Sequence, residues 1–140
     1  MKKSILGTLL QLESVFLILT ASVSFLYNEK DWWVFMLCAT LSFVIGAITI
    51  SIGKWKARHN NEDQGKYFSR ADSFLVVTLT WVLFSIIGMI PYIVLGNMSV
   101  TDAMFEAMSG FTTTGASVIS DVDGLSNGLK FWRCITQWMG

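Results

Sequence analysis

Three long apolar runs, residues 4–27, 32–52 and 73–95, limit this chain to a small set of folds. Glu13 is the only charged residue in any of them. About 20 apolar residues at 1.5 Å per residue cross a ~30 Å hydrocarbon core. Lipid offers the backbone no hydrogen-bond partner, so spans of this length are helices. Charged residues make up 14% of the chain, against about 25% in an ordinary soluble domain. The fold class is therefore an all-α integral membrane protein in contact with the lipid bilayer. The net charge is zero, which gives no support for nucleic-acid binding.

The first run reads as a transmembrane helix from Ser4 to Tyr27, flanked by Lys2 and Lys3. A cleavable signal peptide fits less well, because the run is too long, Glu13 interrupts it and Ala21-Ser22-Val23-Ser24 is a poor cleavage site. Glu13, with Gln11 nearby, is a functional candidate by its position; a buried polar contact to a neighbouring helix is the simpler expectation. Asn28-Glu29-Lys30-Asp31 is a tight polar turn, and Trp32 and Trp33 open the second helix, which is expected to run to about Ile52. Those aromatics suit a membrane–water interface. Ala39, Thr40, Ser42, Gly46 and Ala47 allow close packing, so residues 1–53 form a hairpin. Residues 54–72 are a polar loop carrying Lys54, Lys56, Arg58, Lys66 and Arg70. By the positive-inside rule this loop and the N-terminus are cytoplasmic. The same basic run suits anionic lipid or a cytosolic partner. Cys38 and Cys134 are apolar filler, with no CxxC metal site, and His59 is the sole histidine.

The third helix is expected over Ser73 to Leu95, capped by Ser69 or Asp72 and kinked or ended near Pro91. Gly96-Asn97 is a turn. Ser99 to Ser109 is helical but only about 16 Å long, too short to span. Ser99-Val100-Thr101-Asp102 is a loose capping box, and Gly110 is expected to end the helix. A short helix entering from the outer face directs its C-terminal partial negative charge into the membrane, where it favours a cation. Phe111-Thr112-Thr113-Thr114-Gly115 follows. Thr112, Thr113 and Thr114 are expected to extend with successive carbonyls turned to one side, and Gly115 to supply dihedrals closed to other residues. Rings of such carbonyls coordinate K⁺ in channels, and one strand supplies a quarter of each ring. Glu106 and Arg133 are expected to pair behind this strand, with Gly110 as further support. Asp121 and Asp123 would enrich cations at the outer mouth. Asp121-Val122-Asp123-Gly124 lacks the spacing and closing Glu of a Ca²⁺ loop. No HExxH, GxSxG or P-loop pattern points to an enzyme. A non-conducting membrane scaffold or assembly fragment is the alternative to transport.

The block Phe105 to Ser117, followed by Phe131-Trp132-Arg133 and Gln137-Trp138-Met139-Gly140, closely resembles the membrane subunit of Trk-type bacterial potassium uptake systems, in the Trk/Ktr/HKT superfamily. The resemblance implies four helix–pore loop–helix repeats arranged around a K⁺ path, of which residues 73–140 would be the first. It implies a homodimer in the bacterial inner membrane, a cytosolic nucleotide-binding regulatory subunit and no organic cofactor. Thr112, Thr113, Thr114 and Gly115 match the first filter, Gly115 at the glycine linked to K⁺ permeation; some plant relatives with serine there prefer Na⁺. The leading hairpin would stay peripheral to the pore. Only one filter occurs in these 140 residues, so the expectation is a fragment of a longer chain, with the remaining repeats as its partners.

Overall fold

The computed structural model of the protein describes residues 2–60 and 70–140. Among the described residues there are six helices and no strand: α1 (Lys2–Leu26), α2 (Trp32–Asn60), α3 (Arg70–Gly88), α4 (Ile90–Gly96), α5 (Val100–Phe111) and α6 (Asn127–Met139). Three segments are long and apolar enough to cross a membrane: Ile5–Leu26, Trp32–Trp55 and Arg70–Gly96. The last comprises α3 and α4.

α1 and α2 form the expected hairpin. α1 ends in a Schellman cap: Asn28 is left-handed (φ 56°), its N–H bonds Phe25 O at 3.0 Å, and the Glu29 N–H bonds Ser24 O at 3.1 Å. The two helices approach closely where Gly7 faces Gly46. A Cβ on Gly7 would lie 2.6 Å from the Gly46 carbonyl oxygen and from Ile50 Cγ1. Glu13 is fully buried in this interface. The Ser42 hydroxyl of α2 lies 2.8 Å from both Glu13 Oε2 and the Leu10 carbonyl, while Glu13 Oε1 has no hydrogen-bond partner among the described residues. The interhelical contact expected of Glu13 is thus present.

α2 continues to Asn60, past the expected end near Ile52. Lys54 and Arg58 therefore sit on helix, not loop. Polarity ends the hydrophobic run, but Lys, Arg and Ala are good helix formers and no proline intervenes. At 29 residues α2 is about 43 Å long, more than the hydrocarbon core requires. Lys66 and Ser69 lie outside the described residues. Asp72 falls inside the first turn of α3 and is not its N-cap; an acidic side chain there suits the positive end of the helix dipole.

The third span is broken at Met89, two residues before the proline. The proline ring clashes with the carbonyl four residues back and removes one amide donor, so its effect falls on the preceding turn. Pro91 itself opens α4. The indole of Trp132 donates to the Gly88 carbonyl, at the last residue of α3, at 3.1 Å.

The end of α1, the end of α4 and the start of α6 lie at one face of the bundle. Gly128 packs against Ser24 and Phe35, and Gly96 packs close to Leu129. From that face α5 runs back alongside α3. Its last residue, Phe111, is buried on Phe84 (ring centroids 5.3 Å apart) and Trp132 (6.1 Å). Gly88 makes room for it: a Cβ there would lie 2.7 Å from the Phe111 ring. α5 thus stops part-way along the third span, and the chain returns to the starting face through residues 112–126.

Replacing Gly7 with Leu should lower hairpin stability by about 1–3 kcal/mol, because the new side chain meets the α2 backbone. Thermal unfolding in detergent measures this; Val44→Leu, on the exposed face of α2, is the control.

Candidate functional site

The site is assembled from the C-terminal end of α5, the segment that follows it and one face of α6. Ser99 caps α5, its hydroxyl accepting from the Asp102 N–H at 3.1 Å, as the capping-box pattern predicts. Ala103, Glu106, Ala107 and Gly110 face the interior at helical spacing. Gly110 does not end the helix, which continues to Phe111 with Thr112 as C-cap. It instead permits contact with α6: a Cβ on Gly110 would lie 2.5 Å from Thr136 Oγ1.

The helix ends in a second Schellman cap, with Thr113 in the left-handed position (φ 56°). The Thr113 N–H bonds Gly110 O at 2.9 Å and the Thr114 N–H bonds Ser109 O at 3.0 Å. The Thr112 N–H bonds Met108 O at 2.9 Å, and the Gly115 N–H bonds Ser109 O at 3.4 Å. The expectation that all three threonines extend is therefore corrected. Thr112 and Thr113 form a turn, because free carbonyls at the helix end capture the next four N–H groups. The consequence is a one-sided backbone. All four donors of Thr112–Gly115 point back into the helix. Among the described residues, nothing donates to the carbonyls of Thr113, Thr114 or Gly115, and these three residues are exposed. The Thr112 carbonyl accepts from the Thr113 hydroxyl at 2.7 Å. Gly115 has the expected positive φ, 74°.

Behind this turn lies a buried charge cluster. Glu106 is 4% exposed. Its Oε1 accepts from the Ser117 hydroxyl at 2.6 Å and the Val118 N–H at 2.7 Å. Its Oε2 accepts from Arg133 Nη1 of α6 in a direct ion pair, and the same nitrogen lies 3.3 Å from the Ser117 hydroxyl. Ser109 ties the loop a second time, its hydroxyl donating to Ala116 O at 2.6 Å.

A family model described as cation transport protein, TrkH, matches residues 39–140. The chain belongs to the TrkH family of cation transport proteins. It is 32% identical over 136 residues to the Trk system potassium uptake protein TrkG of Escherichia coli K12, covering 96% of this chain and 26% of that protein. It is 35% identical over 140 residues to TrkH of Vibrio parahaemolyticus, covering 97% of this chain and 27% of that protein. The crystal structure of the potassium transporter TrkH from Vibrio parahaemolyticus superposes with a TM-score of 0.78 at 32% identity, over 98% of this chain and 29% of that one. The chain thus spans about a quarter of the length of the relatives it matches. The family comprises ion transporters, not enzymes.

Within this TrkH-family segment the structure brings Glu106, Arg133, Gly110 and residues 112–115 together. Asp121 and Asp123 lie in the exposed turn leading to α6, where the Asp121 carboxylate accepts from the Gly124 N–H at 3.1 Å. Sequence reasoning missed Ser109, Ser117, Thr136 and Gln137. The side-chain nitrogen of Gln137 would lie 3.4 Å from a Cβ on Gly115. Nothing in a lone serine or threonine marks such a role. Only the Schellman geometry, which needs a left-handed residue two positions past the helix, aims Ser109 at Ala116.

Glu106→Gln or Arg133→Gln alone should destabilise the fold by about 3 kcal/mol, since each strands a desolvated charge. The double substitution should recover part of that loss. Unfolding of the three variants in detergent measures the coupling, and strictly additive losses would show that the two side chains do not act as a pair.

Proposed function

We propose that Thr112–Gly115 form one quarter of a K⁺ selectivity filter in a Trk-type uptake system. One observation carries the reading: the turn spends all its N–H groups on the helix end and leaves the carbonyls of Thr113, Thr114 and Gly115 unpaired and exposed. Unpaired carbonyls at membrane depth are tolerated only against protein or water, or where an ion takes them up. Family membership supports the same conclusion, as do relatives named for potassium uptake. In this reading α5 is a re-entrant pore helix whose C-terminal dipole faces the ion. Glu106, Gly110 and Arg133 hold the loop in shape. Three further loops of the complete transporter supply the other quarters.

The reading extends to a homodimer in the bacterial inner membrane with a cytosolic nucleotide-binding regulatory subunit. The N-terminus is cytoplasmic: Lys54, Arg58 and Arg70 lie towards one end of the bundle, while Glu29 and Asp31 occupy the turn at the other. K⁺ is cargo held by main-chain oxygen, and the chain performs no covalent chemistry.

The test is complementation of a K⁺-uptake-deficient cell at low external K⁺ by the complete transporter. Gly115→Ser adds a Cβ at φ 74° and should lower the preference for K⁺ over Na⁺ by roughly five- to thirty-fold, the range a left-handed penalty of 1–2 kcal/mol implies. Unchanged uptake and selectivity would overturn the filter assignment. Neutralising Asp121 and Asp123 together should raise the external K⁺ needed for half-maximal uptake at low ionic strength. The rise should vanish as salt screens the field.

A further inference from the structure

The hairpin turn is tied to the start of α6 by the Glu29 carboxylate. Glu29 Oε1 accepts from the Asn127 N–H at 2.7 Å, and Oε2 accepts from the Gly128 N–H at 3.0 Å. The Ser126 hydroxyl accepts from the Leu129 N–H at 3.4 Å. The first three amides of α6 are therefore all capped, two of them by a carboxylate 98 residues away in sequence. A carboxylate at a helix N-terminus also gains from the helix dipole. Glu29 is itself fixed, since the Schellman cap of α1 pins its backbone N–H to Ser24 O at 3.1 Å. Gly128 allows the contact: a Cβ there would lie 2.9 Å from Ser24 Cβ and 3.0 Å from Phe35 Cε2.

What begins at that cap is the helix that backs the candidate filter. Along α6, Trp132 bonds Gly88 O, Arg133 pairs with Glu106, Thr136 abuts Gly110 and Gln137 borders Gly115. α6 is rigid over these few turns, so a shift at its first residues moves all four contacts together. We propose that Glu29 is a positioning residue for the pore loop: it sets the axial position of α6, and through Arg133 and Glu106 the shape of Thr113–Gly115. The hairpin, peripheral by family resemblance, then bears on selectivity without lining the path. This inference rests on the filter reading above.

Two substitutions test it in the complete transporter. Glu29→Gln removes the charge and puts an amide N–H where an acceptor is needed. Asn127→Pro removes one donor and leaves the charge. Proline is favoured at the first helical position, and Ser126 already has the extended backbone a following proline requires (φ −61°, ψ 150°). Both should lower K⁺-over-Na⁺ discrimination by roughly three- to thirty-fold, the range found for residues coupled at a distance. Glu29→Asp should recover part of the loss. Glu29→Gln should also add less than its full effect to Arg133→Gln. If the variants reduce only the amount of folded protein, and discrimination per molecule is unchanged, Glu29 is a structural cap and the inference fails while the filter reading stands. If Gly115→Ser is silent as well, the filter reading itself fails.

Discussion

A buried carboxylate is costly unless its oxygens are engaged, and at Glu106, where both are, that engagement shapes the part of the molecule around the turn after α5. Moving an unpaired carboxylate out of water costs far more than the net stability of a domain. Glu106 meets the demand with a guanidinium from α6 and with a hydroxyl and an amide from the segment after the turn. Two separate pieces of chain, α6 and the return segment, must therefore converge on one side chain of α5. The return segment cannot swing away without stranding Oε1, and α6 cannot slide without stranding Oε2. The ion pair does not add much stability over an apolar substitute. It specifies which residues meet, because an apolar patch would accept many registers and this cluster accepts one.

Close backbone approach does the rest. Gly88 and Gly110 admit Phe111 and Thr136 at distances that a Cβ would block. They bring α3, α5 and α6 near enough for the Arg133 side chain to span to Glu106. Gly7 and Gly46 do the same for α1 and α2. Without a strong hydrophobic drive between helices in lipid, such contacts and a few interhelical hydrogen bonds hold a bundle together.

The apolar runs made the three spans legible, because lipid permits one backbone solution and twenty uncharged residues announce it. Ser99 as cap and the shortness of α5 were legible for the same local reasons, and Glu106 with Arg133 stood out as charges in apolar surroundings. Boundaries set by other rules were not. Where α2 stops depends on helix propensity, so its basic tail stayed helical to Asn60. Where α3 breaks depends on proline's reach back up the helix, so the break sits at Met89. The turn at Thr112 and Thr113 was hidden because threonine is a poor left-handed residue and composition argued for extension. Glu29 was invisible as a capping group. Its partners lie 98 and 99 residues away, and no spacing rule links a turn to a distant helix.

Thr113 itself bears most on how such a loop could work. Left-handed backbone costs a β-branched residue about 1–2 kcal/mol, and glycine would avoid the cost. Asn28 holds the same position in the cap of α1, where asparagine is well tolerated. At Thr113 the strain is held in place by two cap hydrogen bonds, by the contact of Thr113 Oγ1 with Thr112 O, and by the 2.9 Å contact between the hydroxyls of Thr112 and Thr114. A glycine would relax that arrangement and let the carbonyls wander. If the filter reading proposed above holds, a threonine trapped there would keep its own carbonyl and the two after it unpaired and in place before an ion arrives. Backbone strain that persists because its surroundings over-determine it is a mark of preorganisation. It is the property a ring of oxygens needs if it is to replace a hydration shell without first having to order itself.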